Sequence, residues 1–125
     1  MNELDKLRNM LDNEHIPYES FKNIYNPKEI DYNCEYYNNC GKYKRNQIIY
    51  EQYDKHNWKF DGICQLGSYG YENGLIEAYG DLIINKYNDI AVLKAEEAFD
   101  IIANDWDKMK MMELIEEEKN FNDYS

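Results

Sequence analysis

The chain has 125 residues, 43% of them hydrophobic, and its 14 basic side chains are outnumbered by 25 acidic ones for a formal charge of −11. A chain of this length supports one core that buries about two thirds of the surface its unfolded form exposes, so a single acidic domain over 1–125 is expected. The charge argues against direct binding of DNA or RNA, because phosphate contacts come from Lys and Arg, and it favours a basic partner.

Leu4, Leu7, Arg8 and Leu11 fall on one helical stripe, and Asn2 with Glu3 supplies a capped start, which predicts a helix ending near Asn13 and closed by Pro17. Ile16-Pro17-Tyr18-Glu19-Ser20-Phe21 alternates as an extended segment. From Asn23 to Arg45 the chain is rich in Asn and Tyr without a clear period, and it reads as a long irregular loop. Asn46 to Tyr53 and Trp58 to Leu66 flank Asp54-Lys55-His56-Asn57, a hairpin. In its second strand Trp58, Phe60, Gly62, Cys64 and Leu66 share a face, with Gly62 marking a bulge or a close approach of backbone.

The run Gly67-Ser68-Tyr69-Gly70-Tyr71-Glu72-Asn73-Gly74 then leads into Leu75, Ile76, Tyr79, Leu82 and Ile83, whose spacing is helical. It reads as a strand-to-helix turn, with Ser68 or Asn73 as cap and Gly80 at the C′ position. Ile90-Ala91-Val92-Leu93 is β-prone. Ala95 to about Glu116 predicts the longest helix, with Ala95, Phe99, Ile102, Trp106, Met109 and Met112 as its apolar stripe and a fraying acidic end. The fold expected from this order is α+β: a mainly antiparallel sheet of three to four strands with helices packed on one face.

No basic segment leads into an apolar run at Met1 to Lys6, and no stretch approaches the roughly 18 apolar residues of a membrane span, so a cytoplasmic protein away from the membrane is expected. The odd count of cysteines suits a reducing compartment. Cys64 reads as a core residue, while Cys34 and Cys40 flank a Tyr/Asn stretch and are able to pair under oxidation. Together with His56 they make a Cys/Cys/His/Cys set whose spacings match no zinc ribbon or knuckle, so no metal and no cofactor is assigned.

Leu7-Arg8-Asn9-Met10-Leu11-Asp12 with Ile16-Pro17-Tyr18, Gly67 to Glu72 with Leu75-Ile76-Glu77 and Gly80, and Ala95-Glu96-Glu97-Ala98-Phe99 carry a resemblance. On these motifs the chain resembles small proteins carried by phages and mobile elements of Gram-positive bacteria, a group without an assigned activity, with Asn23 to Arg45 as its departure. No functional residue carries over. The resemblance implies a context, the cytoplasm of a host bacterium, where small acidic phage proteins often inhibit host defence or host enzymes.

The glycine spacing is neither a phosphate loop nor a dinucleotide fingerprint. His15 and His56 fall at a helix end and in a hairpin turn, where they read as solvent-exposed residues, so no catalytic residues are assigned and a non-enzymatic protein is expected. Tyr69, Tyr71, Glu72 and Tyr79 suit a contact surface, tyrosine giving large rigid area at low entropy cost. Asp105, Asp107, Glu113, Glu116, Glu117 and Glu118 suit electrostatic mimicry of nucleic acid in the basic groove of a nucleic-acid-binding host protein. The expected function is therefore an inhibitor or counter-defence protein that binds such a surface. The alternatives are a binder of a small molecule or nucleotide signal through Tyr69, Tyr71 and the 23–45 loop, and a self-assembling accessory protein, a homo-oligomer.

Overall fold

The computed structural model describes residues 2–24, 45–55 and 57–123. Residues 25–44, with Cys34 and Cys40, and His56 lie outside that set, as does the main part of the expected 23–45 loop.

Helix α1 spans Glu3–Asn13, and the Asn2 side chain caps it by accepting from the Asp5 N–H at 2.9 Å. Leu4, Leu7 and Leu11 are fully buried along it. The stop precedes Pro17. His15 sits at φ 56°, its N–H donates to the Asp12 carbonyl at 3.1 Å, and the Ile16 N–H donates to Leu11 at 3.0 Å. This left-handed closure satisfies two end carbonyls and folds Ile16 into the core beside the helix.

Five strands follow: β1 Glu19–Ile24, β2 Arg45–Gln52, β3 Trp58–Ile63, β4 Ile76–Tyr79 and β5 Ala91–Leu93. They pair antiparallel in the order β1-β2-β3-β4-β5, an open sheet. The short helix α2, Asp81–Tyr87, links β4 to β5, and α3, Ala95–Asp123, ends the described chain. The expected α+β class is observed, with five strands in place of three to four.

The additional strand is β4, where helical spacing had predicted a helix. Ile76 and Tyr79 fall in β4 and Leu82 and Ile83 in α2, with Gly80 between them and Leu75 just ahead of the strand. Ile76 and Ala78 are fully buried between Glu77 and the exposed Tyr79, a period of two. Ile76 lies opposite Leu93 and Ala78 opposite Gly62, so burial against both neighbouring strands outweighs local propensity. Gly80 ends the strand at φ 116°, where an added Cβ would stand 2.6 Å from the Lys59 carbonyl oxygen. Its own carbonyl accepts from the Ile83 and Ile84 N–H groups at 3.1 and 2.9 Å. Gly80 is thus the N-cap of α2, and neither Ser68 nor Asn73 caps a helix.

Ile48, Gly62 and Ala78 form one row across the sheet, and Tyr50 faces Phe60. Ile48, Tyr50, Phe60 and Ala78 share one buried cluster with Leu4, Leu7 and Leu11 of α1, Ile83 of α2 and Ala95, Ala98 and Ile102 of α3. The β2–β3 register passes through Gly62 without a shift, so it is no bulge. A Cβ there would lie 2.8 Å from the Phe60 ring and 3.0 Å from an Ile76 methyl, both side chains. Glycine lets the two large residues close over the strand. Cys64 is buried, as expected. Among the described residues no helix is long and apolar enough to cross a membrane.

Arg8, which fell on the apolar stripe of α1, is 8% exposed. Its guanidinium donates to Ser20 Oγ at 2.8 Å, Asp5 Oδ1 at 3.1 Å, and the Phe21 and Gln47 carbonyls at 3.4 and 3.3 Å. A single fork thereby ties α1 to β1 and β2.

Candidate contact surfaces on the glycine-tyrosine turn and the distal helix

Because β4 is a strand, the Gly67–Gly74 segment connects two strands of the sheet. Gly67, Gly70 and Gly74 all have positive φ, and a single 3-10 turn, Tyr71–Asn73, sits between the last two. Ser68 Oγ accepts from the Gln65 N–H at 3.1 Å and donates to the Gln65 carbonyl at 2.7 Å, which closes the start of the segment. The Leu75 N–H donates to Gly70 at 3.0 Å, and the Gly74 carbonyl accepts from the Glu3 N–H at 2.9 Å, tying the turn to the start of α1. Gly70 presses on β5, since an added Cβ would lie 2.6 Å from a Val92 methyl.

That anchoring fixes where the tyrosines go. Tyr69 is 69% exposed, and its N–H donates to Glu77 Oε1 at 3.1 Å. Glu77 and Tyr79 alternate with the buried Ile76 and Ala78, so both belong to the rows turned away from the core cluster. Tyr71, Glu72 and Tyr79 are exposed as well. The structure therefore gathers Tyr69, Tyr71 and Glu72 on one turn, with Tyr79 on the strand beside it.

The acidic candidates lie on α3, a separate element, and they divide into two groups. Asp105 is turned inward: its Oδ2 accepts from Tyr50 OH at 2.7 Å and from Lys59 Nζ at 2.9 Å, and Lys59 Nζ also reaches Met109 Sδ at 3.1 Å. Burial pushes the Tyr50 phenol far above its ordinary pKa, and the Asp105 carboxylate adds to the shift, so the phenol stays a donor. Asp105 is thus the brace between α3 and the β2–β3 hairpin. Asp107, Glu113, Glu116, Glu117 and Glu118 are exposed. Of these, Glu113 meets Lys110 at 3.5 Å.

The apolar stripe ends earlier than its spacing suggested. Trp106 and Met109 are half-buried, but Met112 is 63% exposed, and every side chain from Lys110 to Lys119 is exposed. Met111, Leu114 and Ile115 stand at i, i+3 and i+4 with Met112 beside them, one contiguous apolar patch. At 3.6 residues per turn the patch is rotated roughly a third of a turn from the line on which α3 meets the core. Leu114 and Ile115 were absent from the expected site. Their signal in the sequence was the change of phase after Met109.

Cys64 is no nucleophile, its thiol being buried and its pKa pushed up by desolvation. His15 lies on the exposed end of α1. Among the described residues no group of three or more His, Cys, Asp or Glu side chains is placed to hold a metal ion.

Comparison with known proteins adds no assignment, since no family model, curated protein or solved structure matches the chain.

Proposed function

We propose that the protein is a non-enzymatic binding protein of inhibitor type, whose distal α3 docks on the basic surface of a nucleic-acid-binding protein inside a bacterial cell. One observation carries the reading: α3 continues well past its last core contact at Met109, with Met111, Met112, Leu114 and Ile115 exposed beside Glu113, Glu116, Glu117 and Glu118. An isolated helix of that remaining length is marginal in water, because its first turn is costly to nucleate. Here the core-packed part of α3 supplies the nucleus, so the distal part needs only to propagate. The result is a pre-formed helix with an apolar patch for anchoring and carboxylates for steering, the combination that a helix uses in a groove with a basic rim.

The reading takes the three helices as packed on the sheet face that bears Ile48, Phe60 and Ile76. Tyr69, Tyr71 and Tyr79 then present a second contact surface, separate from the acidic one, and Asp105 supports the helix from within. The test is affinity capture from bacterial lysate with the full chain, beside the variant Glu116→Lys, Glu117→Lys, Glu118→Lys. The expected result is a partner rich in Lys and Arg that the parent chain retains and the variant loses. Identical capture by both proteins counts against the reading.

A further inference from the structure

A cleft of about 580 Å³ opens between α2 and α3, away from the tyrosine turn and inside the size range of small-ligand sites. α2 lines it with Leu82, Asn85 and Lys86, and α3 lines it with Asp100, Ile101, Asn104, Asp105 and Lys108. Asp105 apart, its polar side chains are exposed to solvent. Lys6, Lys22, Lys59 and Lys110 each hold a carboxylate, whereas Lys86 and Lys108 have no carboxylate partner among the described residues. Lys86 instead lies over the Tyr87 ring at 5.7 Å. The carboxamides of Asn85 and Asn104 have no hydrogen-bond partner among the described residues either.

The lining carries two lysines and two aspartates, a balance unlike the acidic excess of the whole chain. Asp105 is matched by Lys59, which leaves Lys86 and Lys108 facing Asp100, two positive charges against one negative. A lysine ammonium is a strongly hydrated point charge suited to phosphate oxygens. A carboxamide both donates and accepts, as the edge of a heteroaromatic ring requires, and an ionised carboxylate only accepts, as from a sugar hydroxyl. Leu82 and Ile101 supply apolar surface for a ring.

We propose that this cleft binds a phosphorylated small molecule of the nucleotide class, with Lys86 and Lys108 on the phosphate, Asn85 and Asn104 on the base edge and Asp100 on the sugar. The inference is independent of the docking role of distal α3, and its test leaves Glu116, Glu117 and Glu118 untouched. The full chain is titrated with AMP, GMP, CMP and UMP, with adenosine and guanosine, and with inorganic phosphate, while backbone amide shifts are followed by NMR. At least one nucleotide is expected to give saturable shifts centred on Asn85, Asn104 and Lys108. Its nucleoside or phosphate alone is expected to bind about tenfold more weakly. Lys86→Ala and Lys108→Ala, both exposed positions that leave the remaining spectrum in place, are each expected to weaken it by a similar factor. The proposal is overturned if no nucleotide gives saturable shifts in the cleft, if nucleoside and nucleotide bind equally, or if both lysine variants bind as the parent does.

Discussion

Arg8 shows how much one buried side chain contributes to this architecture. Its guanidinium reaches four acceptors on three elements from an almost fully buried position. A lysine carries the same charge but cannot span that fork, and it would give up the part-buried bonds to the Phe21 and Gln47 carbonyls. Arg8→Lys is therefore expected to destabilise the fold by about 2–4 kcal/mol, close to the loss in Arg8→Ala, as read from denaturant midpoints. A loss under about 0.5 kcal/mol for the lysine variant would show that charge alone is what the site needs. The sequence revealed the position of Arg8 and concealed its role. Its place on the apolar stripe of α1 was evident, but the carbonyls it serves come from strands that only the fold brings near.

At the scale of elements, what was legible depended on whether one periodicity governed the whole segment. α1 and the β2–β3 hairpin each carry a single pattern, a matching cap or a matching turn, and they appear where the sequence placed them. The stretch from Leu75 to Ile83 carries two. A four-residue strand is too short to impose a visible alternation, and the glycine that separates it from α2 resembles a helix end as readily as a helix start. Contact with the Lys59 carbonyl decides the matter, and that contact lies across the sheet. Gly80→Ala is accordingly expected to cost about 2–4 kcal/mol, well above the ~1 kcal/mol scale of an ordinary glycine exchange, because it combines a positive φ with a backbone clash. A thermal melt within a degree or two of the parent's would contradict this account of the strand-to-helix corner. The same dependence on tertiary context explains α3. Its apolar stripe reads on to Met112, whereas burial ends at Met109, and the change of phase after that residue is the mark the sequence carries of the exposed patch at Met111–Ile115.

On the scale of the whole molecule, the acidic excess makes stability depend on pH through a few placed carboxyls. A hydrogen bond from Lys6 holds Glu3 below its ordinary pKa. Desolvation pulls Asp5 upward, but Lys22 and Arg8 outweigh it and leave that carboxyl depressed too. Both groups bind protons less tightly folded than unfolded, so their stabilisation is fully present above the usual carboxyl range and lost as pH falls through it. Asp61 runs the other way, since desolvation on the sheet raises it despite the hydrogen bond from Gln47 Nε2 at 2.6 Å. It costs stability at neutral pH and less once protonated. Acidification from about pH 6 to about pH 3 should therefore lower the melting temperature. Asp61→Asn should raise it at neutral pH and make the acid decline steeper, and an Asp61→Asn protein less stable than the parent at pH 7 would contradict the assignment.

The account as a whole rests on distal α3 as an acidic docking helix. Its most direct test is the affinity of the purified chain for its captured partner, measured from about 50 mM to about 500 mM salt for the parent and for the Glu116→Lys, Glu117→Lys, Glu118→Lys variant. The account predicts that the parent's affinity falls steeply across that range, and that at low salt the variant binds at least about tenfold more weakly. An affinity indifferent to salt and to the three reversals would contradict it.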